Sequence, residues 1–480
     1  MKESKQRIFV KGSLIITVSN ILLKGVTFLL LPLYTRYLTP EMLGVSDSVT
    51  TFTAFVFPIL VLGLDSAFGA FYYDRDSREY RMKIFNTIEY ALIFTGMLSL
   101  LLLIFAKTIS QVLFGTGDYQ ILILLAVCSM ICNLFYLPYA LYVRMENRMM
   151  LFAAVNVLTS VFHIILNIFC LCVFKMGVYS LIVSMFVTHF MQAALYGVLV
   201  KVEFKKRYFD VSLLKRMLKY SLPLLPVVVV SWVLQVSDRY ILLKLCGEGE
   251  VGIYGIGARF SNLVSLLANG VYTAYTSYAF GKKDDLDAKA QYARILDDFV
   301  YAGLICCSVL TVFSFSIIRL MTTQSYGSAV QLMAPLVFSQ LYNGINTLVG
   351  YGIGFAKKTY YFLIATSIGA VINVITNLIF IPKYGALAAS YTTLGSILIM
   401  AMVTYLVSQR LYKINYNVMK AFLCPLAVYM IEVFFQKENV FLQIIEFTAI
   451  AVGISLLFRS SFFDYFNTMK NMLYHPKRKE

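Results

Sequence analysis

Apolar runs of about 20 residues recur along the whole chain, separated by short polar connections. They fall at 13–34, 44–64, 84–106, 121–143, 151–173, 178–200, 220–243, 252–280, 296–318, 328–354, 360–381, 385–409, 418–435 and 440–458. A hydrocarbon core about 30 Å thick takes about 20 helical residues to cross. The pattern therefore predicts an all-α, polytopic membrane protein with 14 transmembrane helices. The first run follows a polar stretch, 1–7, and lacks a small-residue cleavage site, which predicts a retained helix and not a removed signal peptide.

With the N-terminus placed in the cytoplasm, the basic residues sort along these spans. Inner segments carry 31 of the 41 Lys and Arg residues, including Lys2, Lys5, Arg7 and Lys11 at the start and seven between Lys201 and Lys219. Each of the seven outer connections carries one: Arg36, Lys107, Lys175, Lys244, Arg319, Lys383 and Lys437. Lys24, Arg239 and Arg259 remain within spans. One span more or fewer would scramble this division, so both termini are expected inside. Membrane orientation accounts for the net charge of +16, which does not call for a nucleic acid partner.

The chain also repeats itself at an offset near 205 residues. Asn167 is followed by Lys175-Met-Gly177, and Asn377 by Lys383-Tyr-Gly385; Arg36-Tyr37 corresponds to Arg239-Tyr240. Six spans per copy is an even number, so the copies share one orientation, with a pseudo-two-fold along the membrane normal and a substrate site expected between them. The predicted organisation is an N-terminal six-helix bundle at 1–200, a basic cytoplasmic linker at 201–219 and a C-terminal six-helix bundle at 220–412. Two extra transmembrane helices at 413–458 and a basic cytoplasmic tail at 459–480 complete it. In the tail, Phe462, Phe466, Met469 and Leu473 form a stripe expected on the inner leaflet.

Composition narrows the chemistry. Apolar residues make up 59% of the chain and charged residues 14%, with a mean hydropathy of +0.75. Soluble domains carry about 25% charged residues, so soluble enzymes, disordered chains and disulfide-rich modules are excluded. Of the eight cysteines, all but Cys246 lie inside apolar runs, and none forms a paired CxxC pattern. No GxxxxGK[ST], HExxH or GxSxG motif occurs, and no long extramembrane loop offers room for a catalytic domain. A transporter is expected rather than an enzyme, with no cofactor and no metal.

The informative positions are the polar residues that interrupt the spans. A Lys or Arg at a helix centre costs about 2.5–3.5 kcal/mol on insertion scales and normally faces an interior cavity. Thr17, Asn20, Lys24 and Thr27 form one stripe on span one at helical spacing; Arg259, Asn262, Asn269 and Tyr272 form another on span eight. On span seven, Trp232, Gln235 and Arg239 share a face, whereas Asp238 points about 100° away. These stripes predict a wet, cationic cavity suited to an anionic ligand, phosphate in particular. The plainer alternative is that Lys24 and Arg259 pair with carboxylates or snorkel to an interface. Asp65, Glu89, Glu432 and Glu446 are candidates for ion coupling; His163 and His189 read as buried hydrogen-bonding groups.

Two stretches carry a family likeness. Leu31-Pro-Leu-Tyr-Thr-Arg-Tyr-Leu-Thr-Pro-Glu-Met-Leu-Gly44 resembles the first-span exit of polysaccharide biosynthesis flippases, and Asp238-Arg-Tyr-Ile-Leu-Leu-Lys-Leu-Cys-Gly-Glu-Gly-Glu-Val-Gly-Ile-Tyr-Gly255 resembles their seventh-span signature. These are O-antigen and capsule repeat-unit translocases of the multidrug/oligosaccharidyl-lipid/polysaccharide exporter superfamily. The resemblance implies a polyprenyl-diphosphate-linked oligosaccharide moved from the inner to the outer leaflet of a bacterial cell membrane. Membrane lipids and the glycan polymerase or glycosyltransferases of the same assembly line are the implied partners. In the related lipid II flippases spans one and eight carry basic residues, which Lys24 and Arg259 match by span, and the last two spans help form a lipid-tail groove.

Two alternatives stay open: a cation-coupled multidrug exporter of the same superfamily, and a non-transporting scaffold of a glycan assembly complex. Under the flippase expectation, Lys24→Ala and Arg259→Ala block headgroup translocation while the protein still reaches the membrane. Export assays beside membrane immunoblots check this, and full export in both variants removes the charge role.

Overall fold

Hydrocarbon offers the backbone no hydrogen-bond partner, so a chain that crosses it must satisfy its peptide groups internally. The computed structural model describes residue 28 and residues 30–75, 77–146, 148–200, 208–281, 288–356 and 358–463, with side chains for all but 273–281. Every regular element among them is helical, and the chain is an all-α polytopic membrane protein. Ten helical stretches among the described residues are long and apolar enough to cross a membrane. Lys24 and Asn20, with Thr17 and Thr27, lie outside the described residues, as do Phe466, Met469 and Leu473 of the tail. The chain divides into two compact units, Met1–Gly252 and Ile253–Glu480.

In the first unit, α1 (Leu31–Tyr37) stops where Thr39 and Pro40 restart the chain. The Thr39 hydroxyl accepts a bond from the Met42 amide, and Pro40 occupies the first turn of α2 (Pro40–Val61), where a missing N–H costs nothing. Then follow α3 (Leu64–Phe71), α4 (Arg78–Ser99, continued by Leu101–Ile104), α5 (Ala106–Phe114) and α6 (Gln120–Met145). Next come α7 (Met149–Ile168, extended by a π turn), α8 (Tyr179–Leu199), α9 (Val211–Ser221) and α10 (Leu225–Cys246). The usual polarity is inverted: α4 exposes Phe94, Met97 and Leu98 while burying Asn86, Thr87 and Glu89. A polar spine joins α6, α7 and α8. Ser129 bonds His189 at 2.7 Å, His163 bonds Thr188 at 3.1 Å, and Gln192 donates to Thr159 at 3.1 Å. At one end of the unit, Glu146 accepts from the Tyr72 hydroxyl at 2.5 Å and pairs with Arg81 at 3.1 Å.

The second half of the expected linker is itself a helix, α9. Asp210 caps it, accepting from the Ser212 hydroxyl and the Ser212 and Leu213 amides, and the Ser212 bond is the main cause holding this carboxyl below its usual range. Leu213 and Met217, one turn apart, pack into the core beside Phe68, Phe85 and Ile88, while Lys215, Arg216 and Lys219 occupy other faces.

One contact fixes how α2 meets the start of α11 (Glu248–Gly281). The two helices touch backbone to backbone: a methyl group on Gly44 would overlap the Glu248 carbonyl, and one on Gly252 would overlap the Pro40 carbonyl. The two signature stretches of the sequence thus meet, and their glycines are what permits the approach.

The second unit holds the rest of α11, then α12 (Ala288–Val312), α13 (Ser314–Met321), α14 (Ala329–Val349), α15 (Tyr351–Phe355) and α16 (Tyr360–Leu411). It closes with α17 (Cys424–Phe435), preceded by a π turn, and α18 (Val440–Leu457). The expected spans 360–381 and 385–409 are the two arms of α16, bent at Gly385 with φ 55°. α14 and α17, also expected as spans, fall outside the ten: α14 carries Gln331, Gln340, Asn343 and Asn346, and α17 has only 12 residues. The repeat landmarks share a local geometry. Gly177, like Gly385, has a left-handed backbone, with φ 56°. Asn167 donates to Ser184 across the first turn, and Thr392 donates to Asn377 across the second.

Gly44→Ala and Gly252→Ala are expected to lower stability in detergent by about 1–3 kcal/mol or more, the range for overpacking. Gly453→Ala on α18, where a methyl would enter open space, is expected to be neutral or to gain about 0.5–1 kcal/mol. Thermal unfolding of the purified variants checks the contrast, and equal midpoints for all three contradict the close crossing.

Candidate functional site

One turn beyond the glycine crossing, α2 and α10 part around a cavity of about 280 Å³ that lies wholly within the first unit. From α2 it takes Ser48, Thr51, Phe52 and Phe55, at i, i+3, i+4 and i+7, one continuous helical face. From α10 it takes Trp232, Arg239, Tyr240 and Leu243, and Leu113 at the end of α5 completes it. A bond from the Lys244 ammonium to the Val112 carbonyl ties α10 to α5 beside that residue. The Phe55 and Trp232 rings meet with centroids 4.5 Å apart at 47°, forming an aromatic wall.

The polar atoms here are unusual for a membrane interior. Ser48 Oγ, Thr51 Oγ1, Trp232 Nε1 and Arg239 Nε are all buried, and none has a hydrogen-bond partner. The neighbouring hydroxyls behave otherwise: Thr50 bonds back to Ser46 and Asp47, and Thr53 to Thr50. A buried polar atom without a partner costs about 1–3 kcal/mol, so four around one cavity mark a place meant to be filled. Arg239 makes no ion pair among the described residues. The adjacent Asp238, 1% exposed, turns its Oδ1 to the Arg239 backbone amide at 2.7 Å. A guanidinium, an indole N–H and two hydroxyls thus stand among the lining residues, behind a cavity wall whose accessible surface is apolar. That set suits an anion carrying hydroxyl groups, because a guanidinium binds phosphate or carboxylate oxygens in pairs.

Of the residues singled out in the sequence, Trp232 and Arg239 line this cavity, while Gln235 is exposed and does not. Arg259, half-buried, and Asn262, exposed, stand on α11 in the second unit. Asp65 is exposed in the first turn of α3. Glu89 is 4% exposed on α4, its Oε2 without a partner. Sequence reasoning missed Ser48, Thr51, Phe52 and Phe55. Their helical spacing was the available signal, and it was hidden by the other hydroxyl residues of the same span.

Comparison with known proteins gives a family and a fold. The family model described as "Polysaccharide biosynthesis protein" matches residues 9–276, which include every lining residue, and the MatE family model matches 223–379. No curated protein matches the chain. Among solved structures, the lipid II flippase MurJ in an inward closed conformation aligns with a TM-score of 0.73 at 18% identity, covering 95% of this chain and 99% of that one. An inward-facing multidrug resistance MATE family transporter of the MOP superfamily aligns with a TM-score of 0.65 at 16% identity, covering 80% and 93%. An outward-facing one aligns at 0.54 and 18%, covering 84% and 96%. At these identities the likeness is one of fold.

Removing a partnerless hydroxyl removes its desolvation cost. Thr51→Val is therefore expected to leave the thermal midpoint of the ligand-free protein unchanged or to raise it by the equivalent of about 1 kcal/mol. A drop of that size in detergent would mean that Thr51 bonds something within the fold.

Proposed function

The chain belongs to the polysaccharide biosynthesis protein family and is a multi-pass membrane transporter, and on that premise we propose that it is a flippase for polyprenyl-diphosphate-linked oligosaccharide repeat units. It moves them from the inner to the outer leaflet of a bacterial cell membrane by alternating access. The observation that carries this reading is Arg239, without an ion pair among the described residues, beside Trp232, Ser48 and Thr51 around a cavity among membrane helices. A diphosphate cannot cross hydrocarbon unaided, because a bare charge there costs far more than any single contact returns. A guanidinium with nearby donors replaces the phosphate's water. The aromatic wall of Phe52, Phe55 and Trp232 offers the sugar rings an apolar face. At about 280 Å³ the cavity takes a diphosphate or a sugar at a time, not a whole repeat unit.

The orientation in this reading comes from the basic residues. In this reading α2, α4, α6, α7, α8, α10, α11, α12, α14, the two arms of α16, α17 and α18 each count as a pass, and the span expected at 13–34 brings them to fourteen. Both termini then lie in the cytoplasm, and Arg239, seven residues from the end of α10, sits in the outer half. Lys24 and Arg259 would meet the phosphates at other stages. The lipid II flippase that shares this fold supports a lipid substrate. The MatE match favours a second reading, a drug exporter. Cationic drugs would be repelled by an unpaired Arg239.

In vesicles reconstituted with the full chain and a labelled polyprenyl-diphosphate oligosaccharide, the wild type is expected to expose the headgroup on the opposite face. Arg239→Gln is expected to slow this about ten- to a hundredfold at equal incorporation, as for a lost charge-assisted bond of about 1.5–3 kcal/mol. Drug transport with no headgroup exposure contradicts the flippase reading and supports the exporter.

A further inference from the structure

The last two helices of the second unit hide a carboxyl that neither packing nor the headgroup cavity explains. Glu432, on α17, is fully buried, at 0% exposure, and neither of its carboxyl oxygens has a hydrogen-bond partner. Beside it stand the hydroxyls of Ser308 and Thr311 on α12, themselves buried and likewise without a completed bond. Glu446 on α18 acts on Glu432 through space, and both of its own oxygens are buried and partnerless. No basic side chain pairs with Glu432 among the described residues. The nearest ionisable groups are Glu446, with Lys437 acting on it from the α17–α18 connection, and the buried thiol of Cys307.

Burying a carboxylate without a counter-charge is prohibitive, and a leucine or glutamine would pack there at less cost. The partnerless donors around Glu432, the hydroxyls of Ser308 and Thr311 and the carboxyl of Glu446, are oxygens, which suits a hard cation. Two carboxyls and two hydroxyls fall short of the about six to eight oxygens that a calcium ion takes, and Glu432 with its hydroxyl neighbours balances a single positive charge. Position adds to this. Thr311 and Glu432 lie in the last turn of α12 and α17, one residue before Val312 and three before Phe435. The C-terminal ends of two helices there favour positive charge. Gln443, also fully buried, accepts from Ser316 at 2.6 Å and donates to the Lys437 carbonyl at 2.8 Å, fixing the start of α18 beside this end.

We propose that Glu432, Ser308 and Thr311, with Glu446 alongside, form a binding site for a monovalent cation, a proton or Na⁺, in the appended helix pair. The site stands on the second unit alone. Its use to couple an ion gradient to export rests on the flippase reading, in whose orientation these helix ends face the outside.

Infrared difference spectra of the full chain in lipid vesicles, without any glycan, test the site. Two exchanges are made: from about pH 5 to about pH 9, the range in which buried carboxyls titrate, and from choline to Na⁺ at constant ionic strength. The expected result is a carboxyl band that responds to pH alone for a proton site, or to Na⁺ for an alkali-ion site, and that Glu432→Gln abolishes. In Ser308→Ala/Thr311→Val the cation midpoint is expected to shift at least tenfold. A wild-type spectrum with no Glu432-dependent response to either exchange overturns the proposal. So does an unshifted midpoint in the double variant, which decides the matter if Glu432→Gln does not reach the membrane. A chain that passes both and exposes no lipid-linked headgroup contradicts the flippase reading and leaves the cation site standing.

Discussion

A hydroxyl or guanidinium among membrane helices has to bond something, because the surrounding hydrocarbon will not. Nearly every feature of this chain follows from how that demand is met. Thr50 and Thr53 meet it by bonding back to their own helix. His189 and His163 meet it in pairs with Ser129 and Thr188. Ser48, Thr51, Trp232 and Arg239 do not meet it within the fold, and they are gathered around one cavity. Function enters the structure at the places where satisfaction is withheld.

That cavity depends on packing elsewhere. Gly44 and Gly252 let α2 and the start of α11 touch at the backbone, which pins the end of α10 through the short turn at Gly247. Ser48 lies one turn along α2 from Gly44, so the polar face begins just beyond the crossing. A larger residue at either glycine would separate the helices and spread the lining residues, whatever their chemistry. The family likeness of these two stretches is therefore a likeness of architecture first.

Much of this was legible from the pattern of apolar runs, because a span must be long and apolar whatever it packs against. The expected spans 121–143, 151–173, 178–200 and 440–458 agree with α6, α7 with its π turn, α8 and α18 to within two residues at each end. Expectation and structure part where a short-range rule competes. Pro223 and Pro226 open α10 later than hydropathy suggests, with a 3-10 turn between it and α9. The apolar spacing of Leu213, Leu214, Met217 and Leu218 was masked by the basic residues between them, and α9 read as linker. Trp232 and Arg239 stood out because either is conspicuous in a span. Ser48 and Thr51 did not, because a hydroxyl that bonds back to its own helix and one that points into a cavity have the same sequence. Only the positions of the neighbouring atoms distinguish them, whereas Glu432, a carboxyl inside an apolar span, stands out in the sequence as a candidate for ion coupling.

Trp232 is the single tryptophan of the chain, so its fluorescence reports on this cavity and on nothing else. If the cavity is a wet anion-binding chamber, iodide quenches Trp232 more strongly than neutral acrylamide or caesium does. A polyprenyl diphosphate then protects it in the wild type but not in Arg239→Gln. Emission typical of a dry apolar site, indifferent to the sign of the quencher and unchanged by the lipid diphosphate, would contradict the account.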